Sequence, residues 1–219
     1  MREAVAVGNI RLIFKTFAVA PPRCGGKNGY LTRVPREGES VNKPDYAVIN
    51  AELERLFALD GATKFDAAVR SSAAGEIFGQ AMFRGLYTFA KNREERRLWD
   101  ALAKIETVTL EQVSAYMKKY GVPPPDREIF AREGYRVAAL FEGTSVDTYF
   151  EWLEPEVKKA VKGFASMLDM SSNPNDRALA GLLVKHEDVI AKCCESIRRN
   201  GSINDACIAL EVDFTTIEH

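Results

Sequence analysis

The stretch NREERRLWDALAKIETVTLEQVSAYMKKYG, residues 92–121, reads as one helix with both ends marked. Asn92 suits an N-cap, and Glu94 and Glu95 place carboxylates in the first turn, where the helix dipole favours them. Gly121, with Pro123, Pro124 and Pro125 beyond it, supplies the stop. Between the ends, Trp99, Leu102, Glu106, Leu110, Val113 and Met117 recur at alternating spacings of three and four. That spacing is the seam of a helix packed in a bundle. Glu106 interrupts the seam at its middle.

Working outward, the same texture recurs. A long helix is expected over residues 64–91, and another over 145–170, with Ser145 as its cap and Pro155 bending or interrupting its first part. A fourth is expected over 173–200, opened by Asn173-Pro174, since proline suits the first helical position. Shorter helices fit residues 46–59, 126–141 and 203–212. Short turns join the first long helix to the second and the third to the fourth, which makes them antiparallel neighbours. The second and third are separated by a stretch with its own helix, room for a long crossover. The expected fold is therefore all-α. It is an antiparallel four-helix bundle over the main body at 64–200, with a long crossover between helices two and three. Residues 1–60 form an irregular N-terminal arm and short helix, and 61–219 the bundle domain with its short C-terminal helix. Residues 6–18 suit a short strand or buried arm, and the prolines and glycines that follow mark a loop.

Polar residues interrupt other seams too. The fourth long helix reads Leu179, Leu183, His186, Ile190, Cys193, Ile197, with Glu187 flanking the same face. The first reads Val69, Ala73, Glu76, Gln80, Phe83, Tyr87, Ala90. The third reads Phe150, Leu153, Val157, Val161, Phe164, Leu168, and offers only Glu154 nearby, about a turn from the middle. Glu76, Glu106, His186 and Glu187 each fall near the middle of a helix, so an antiparallel bundle brings them to one height. Buried carboxylates must be paired, hydrogen-bonded, metal-bound or protonated. Carboxylates with an imidazole in a dry core are what divalent iron or manganese requires. Against this, a single Glu on an apolar stripe often snorkels at its edge or pairs with an arginine such as Arg70 or Arg84. A lone helical His is more often a hydrogen-bonded core residue than a ligand. It is the shared height that favours the metal.

The segments GEIFGQA (75–81), EERR (94–97), AKIETVT (103–109) and VKHEDVI (184–190) resemble bacterial ferritin-like proteins, over about residues 67–209. The resemblance implies a ferritin-like bundle and a metal-dependent oxidoreductase. Such proteins take a Glu from each of two helices and a Glu-x-x-His from each of the other two. Glu76 and Glu106 match the first- and second-helix ligands. Thr109 stands where a His would follow Glu106, and His186 and Glu187 are adjacent rather than three apart. One ion, an atypical pair, or none remain open. Tyr87 is a candidate redox neighbour.

Composition narrows the other classes. The net charge of -1 gives no electrostatic footprint for nucleic acid or an anionic membrane. The apolar runs are too short to span a bilayer. Ala18-Val19-Ala20 resembles a signal-peptidase site, but Arg11 and Lys15 break the preceding apolar run. Cys24, Cys193, Cys194 and Cys207 lack C-x-x-C spacing and read as reduced thiols of a cytoplasmic protein. No nucleophile elbow or Walker loop is present. Two readings follow: a metal-dependent enzyme, or a non-catalytic helical scaffold whose buried Glu and His fix register. In either, a homo-oligomer such as a dimer is expected.

Overall fold

The computed structural model describes residues 44–57, 65–200 and 202–214. They form seven helices and, among the described residues, no strand: α1 Tyr46–Phe57, α2 Phe65–Phe89, α3 Arg93–Tyr120, α4 Arg127–Leu140, α5 Val146–Met167, α6 Pro174–Asn200 and α7 Ile203–Phe214. The expected strand or arm at 6–18 lies outside the described residues. None of the described helices is long and apolar enough to cross a membrane.

The helix ends follow local chemistry. The Asn92 side chain accepts from the Glu95 amide, and the Ser145 hydroxyl accepts from that of Thr148. Asp126 caps α4 by accepting from the Glu128 and Ile129 amides. Asn173 accepts from the Asn175 amide at the start of α6. Gly121 ends α3 with φ 72°, a left-handed conformation that a side chain would strain. Pro155 does not interrupt α5. It and Glu151 face outward, so the carbonyl that loses its amide partner is open to water.

Pairwise contacts give the helix directions. Phe65 meets Tyr116 and Phe83 stacks on Trp99, so α2 and α3 are antiparallel. Thr109 meets His186 and Tyr116 meets Asp176, so α3 and α6 are antiparallel. Glu154 meets Arg198 and Leu168 meets Arg177, so α5 and α6 are antiparallel as well. α4 lies along α2 as extensively as α3 does, and α7 packs on α6 and α3. An aromatic cluster of Phe83, Trp99, Phe141, Tyr149, Phe150 and Trp152 ties α2, α3 and α5 together, with neighbouring ring centroids from 5.0 to 6.4 Å apart. The α5 seam is buried at Phe150, Leu153 and Val157 but only half-buried at Val161, Phe164 and Leu168.

Close approach of α4 to α2 depends on small residues. A Cβ on Gly134 would stand 2.4 Å from the Phe78 carbonyl oxygen, and one on Gly85 would stand 2.6 Å from the Ala138 Cβ. Backbone at the contact cannot rotate aside as a side chain can. Gly134→Ala is therefore expected to destabilise the fold by about 1–3 kcal/mol, the usual cost of overpacking. Urea unfolding of the two proteins checks this, and an unchanged midpoint would contradict the packing described.

Candidate metal centre

Glu76 lies in the middle of α2, Glu106 in the middle of α3 and His186 in the middle of α6. Their side chains meet: one ligand atom from each lies within 4.8 Å of the others. All three residues are almost inaccessible, at 2%, 6% and 1% exposure. His186 Nε2 stands 3.4 Å from Glu76 Oε2 and 3.7 Å from Glu106 Oε2. The other ring nitrogen, Nδ1, is 2.8 Å from the Thr109 hydroxyl. With Nδ1 protonated and donating to Thr109, Nε2 turns its lone pair toward the two carboxyls.

Space for this arrangement comes from Gly79. A Cβ there would sit 2.6 Å from the Glu106 carboxyl carbon. The residue one turn beyond Glu76 is thus the wall against which Glu106 rests. Glu76 Oε2 is buried without a hydrogen-bond partner. A buried carboxylate oxygen in that condition needs a proton or a cation.

Electrostatics follow from the burial. Desolvation holds the Glu76 carboxyl far above the ordinary range, with Glu106 and Glu187 adding to it. Desolvation raises Glu106 to about 8, against a hydrogen bond with Glu76 that pulls the other way. Burial lowers His186 to about 3. Without a cation, the two carboxyls retain protons and the imidazole is neutral near pH 7. Among the described residues no Lys or Arg side chain pairs with Glu76 or Glu106; the nitrogen base in reach of both is His186.

The other expected residues divide. Glu187 is half-buried and outside the three-residue group, but its charge reaches Glu76 and Glu106. Desolvation, then Glu106 and Asp188, raises its own carboxyl. Glu154 faces away and pairs with Lys158 at 2.5 Å and Arg198 at 3.6 Å. Tyr87 is 44% exposed: its side chain turns outward, although Leu86 before it and Phe89 after it pack on the core. A tyrosine whose hydroxyl the Glu106 charge reaches is Tyr149, from α5. It is 1% exposed, donates to the Met82 sulfur at 3.4 Å, and its hydroxyl is raised by burial, then by Cys194 and Glu106. Cys193, Cys194 and Cys207 are buried thiols, and burial raises Cys194 to about 12. A buried thiol held in its protonated form is a poor nucleophile. Three contributors were missed in the sequence: Thr109, Gly79 and Tyr149. Thr109 lies next to Leu110 of the seam and Gly79 one turn past Glu76, which is the signal that could have found them. Tyr149 adjoins Phe150 but gives no polar signal of its own.

No family model, curated protein or solved structure matches the chain.

The pKa shifts set a pH dependence for the metal-free protein. Glu106 titrates at about 8 when folded and near 4.5 otherwise, so the folded state holds a proton that the unfolded chain releases. Stability therefore falls as pH rises through that window. His186, at about 3 folded and 6.5 otherwise, acts oppositely, and its contribution is lost as pH falls below 6.5. Above the ordinary His value only the carboxyls act. With chelator present, unfolding free energy is expected to drop between pH 6.5 and pH 8, by on the order of 1 kcal/mol per pH unit for each titrating carboxyl. Glu106→Gln should flatten that slope; an equal slope in both proteins would contradict the assignment.

Proposed function

We propose that this chain is a ferritin-like, metal-dependent oxidoreductase in which Glu76, Glu106 and His186 hold one divalent iron or manganese ion. The observation that carries the reading is the convergence of three buried ligand atoms from three helices within 4.8 Å. The helix directions support the scaffold. α2 and α3 are antiparallel, α5 and α6 are antiparallel, and α4 is the crossover lying along α2 that returns the chain between the two pairs.

The residues present fit such an ion. Glu76 Oε2 lacks a partner, Gly79 leaves room for the Glu106 carboxyl, and Thr109 orients the imidazole. Two carboxylates and one imidazole form an oxygen-rich set suited to manganese or ferrous iron. Three ligands suit one ion better than two. Glu187 is the nearest further carboxylate, positioned to add charge or a fourth ligand. A bound ion would supply Lewis-acid and one-electron chemistry. The chain's own part is to exclude water from the ligands, to give up the carboxyl protons on binding, and to keep Nε2 bare by fixing Nδ1 on Thr109.

The second reading, a non-catalytic scaffold, has one observation in its favour: protonated carboxyls and a neutral imidazole already leave the cluster uncharged. Metal content separates the two. Protein from cells supplemented with iron and manganese is expected to contain about one ion per chain by elemental analysis, and Glu106→Ala none. Absence of stoichiometric metal from both would defeat the proposal.

Two further substitutions test how the ligands are held. Thr109→Val frees the imidazole and is expected to weaken metal affinity by about 10–100-fold, as loss of such supporting hydrogen bonds does. Gly79→Ala pushes the Glu106 carboxyl off its wall and should weaken binding in the same direction. Competition against a fluorescent chelator measures both, and affinities equal to wild type would contradict the ligand geometry.

A further inference from the structure

A cleft of about 420 Å³ opens on the outer surface where α2, α3 and the start of α4 meet. That volume suits a small molecule. Its lining includes Gln80, Thr107, Glu111, Ser114, Lys118 and Arg127. The floor is a chain of hydrogen bonds. Arg127 Nη2 donates to Gln80 Oε1 at 3.1 Å, Gln80 Nε2 donates to Thr107 Oγ1 at 2.6 Å, and the Thr107 hydroxyl donates to the Ala103 carbonyl at 2.7 Å. Gln80 is itself buried, at 6% exposure. An amide held at both ends has a fixed orientation.

Behind that floor lies the Glu76–Glu106–His186 cluster. Gln80 is one turn along α2 from Glu76 and follows Gly79, against which the Glu106 carboxyl rests. Thr107 follows Glu106 on α3. The cleft and the buried cluster therefore share one wall. The cleft carries two cations, Lys118 and Arg127, and one carboxylate, Glu111. Among the described residues neither cation forms a salt bridge, although Glu111 shares the cleft. Arg127 uses one N–H on Gln80, and the rest of its planar fork is available to an oxyanion.

We propose that this cleft binds a small organic anion, through a carboxylate or phosphate group held by Arg127 and Lys118, with the rest of the molecule lying over the Gln80–Thr107 wall. Its role as a co-substrate rests on the metal reading above; the binding itself does not. Gln80 is the partition, and its contact with Arg127 links occupancy of the cleft to the wall of the buried cluster.

The test is a titration of metal-free, ¹⁵N-labelled full-length protein with acetate and, separately, inorganic phosphate. It is followed at the Gln80 side-chain amide and the Thr107 and Arg127 backbone amides. A saturable shift with a Kd of about 1 mM or lower is expected for one of the two anions. Arg127→Gln should weaken it about tenfold or more, and Lys118→Gln should weaken it further. No saturable shift up to about 20 mM, or an affinity equal to wild type in both variants, overturns the proposal. Mn²⁺ added afterwards separates the two ideas. If the anion binds and manganese does not, the cleft stands without the metal reading. If manganese binds and neither anion shifts these amides, the metal reading stands and the cleft proposal falls.

Discussion

Three titratable side chains from three helices are buried against one another at mid-height, and the rest of the fold is arranged around that fact. Burying even one carboxylate without a partner costs several kcal/mol. Glu76 and Glu106 meet that cost by staying protonated or by taking a cation, and His186 by staying neutral. The contacts that neutralise them exist only when α2, α3 and α6 stand in one register. A shift of one turn along any of these helices would separate the groups by about 5 Å. The apolar seams allow some sliding, since Leu, Ile and Val are interchangeable along them. The polar cluster penalises it.

Room for that cluster is made by absent side chains. Gly79 lets the Glu106 carboxyl rest on the α2 backbone, and Gly85 and Gly134 let α4 lie close along the same helix. α2 is consequently buried on nearly every side, with α3 on one flank and α4 on another, and α6 meets it at Glu76. The same close approach brings Arg127, at the start of α4, within reach of Gln80. The wall of the buried cluster thereby becomes the floor of a surface cleft. Packing, polarity and access are set by one helix whose small residues sit where neighbours must come near.

Much of this was legible in the sequence, and the reasons differ by residue. Asn92, Gly121, Ser145 and Asn173 mark helix ends because capping is settled within a few residues of chain. Glu106 and His186 stood out because each breaks an otherwise apolar seam, and their side chains meet in the core. Glu76 was harder to orient, since α2 is apolar nearly all round. Tyr87 was misleading, because it continues the apolar row of α2 yet turns outward between Leu86 and Phe89, which pack on the core. Glu154, the lone acid near the α5 seam, was set apart by its height and finds Lys158 and Arg198 instead. Thr109 was read as a missing ligand. In the fold it is the group that holds the imidazole.

The sequence by itself determined the helices, their ends, and the few polar residues that an apolar core must somehow accommodate. These depend on hydrophobic period and capping chemistry, which act over a turn or two. Only the tertiary structure decided which of those residues meet. Tyr149 on Met82, Gly79 beneath Glu106, Thr109 on the imidazole and Gln80 against Arg127 are pairings between different helices. They arise from crossing angle, rotation and height, quantities that no local pattern of residues encodes.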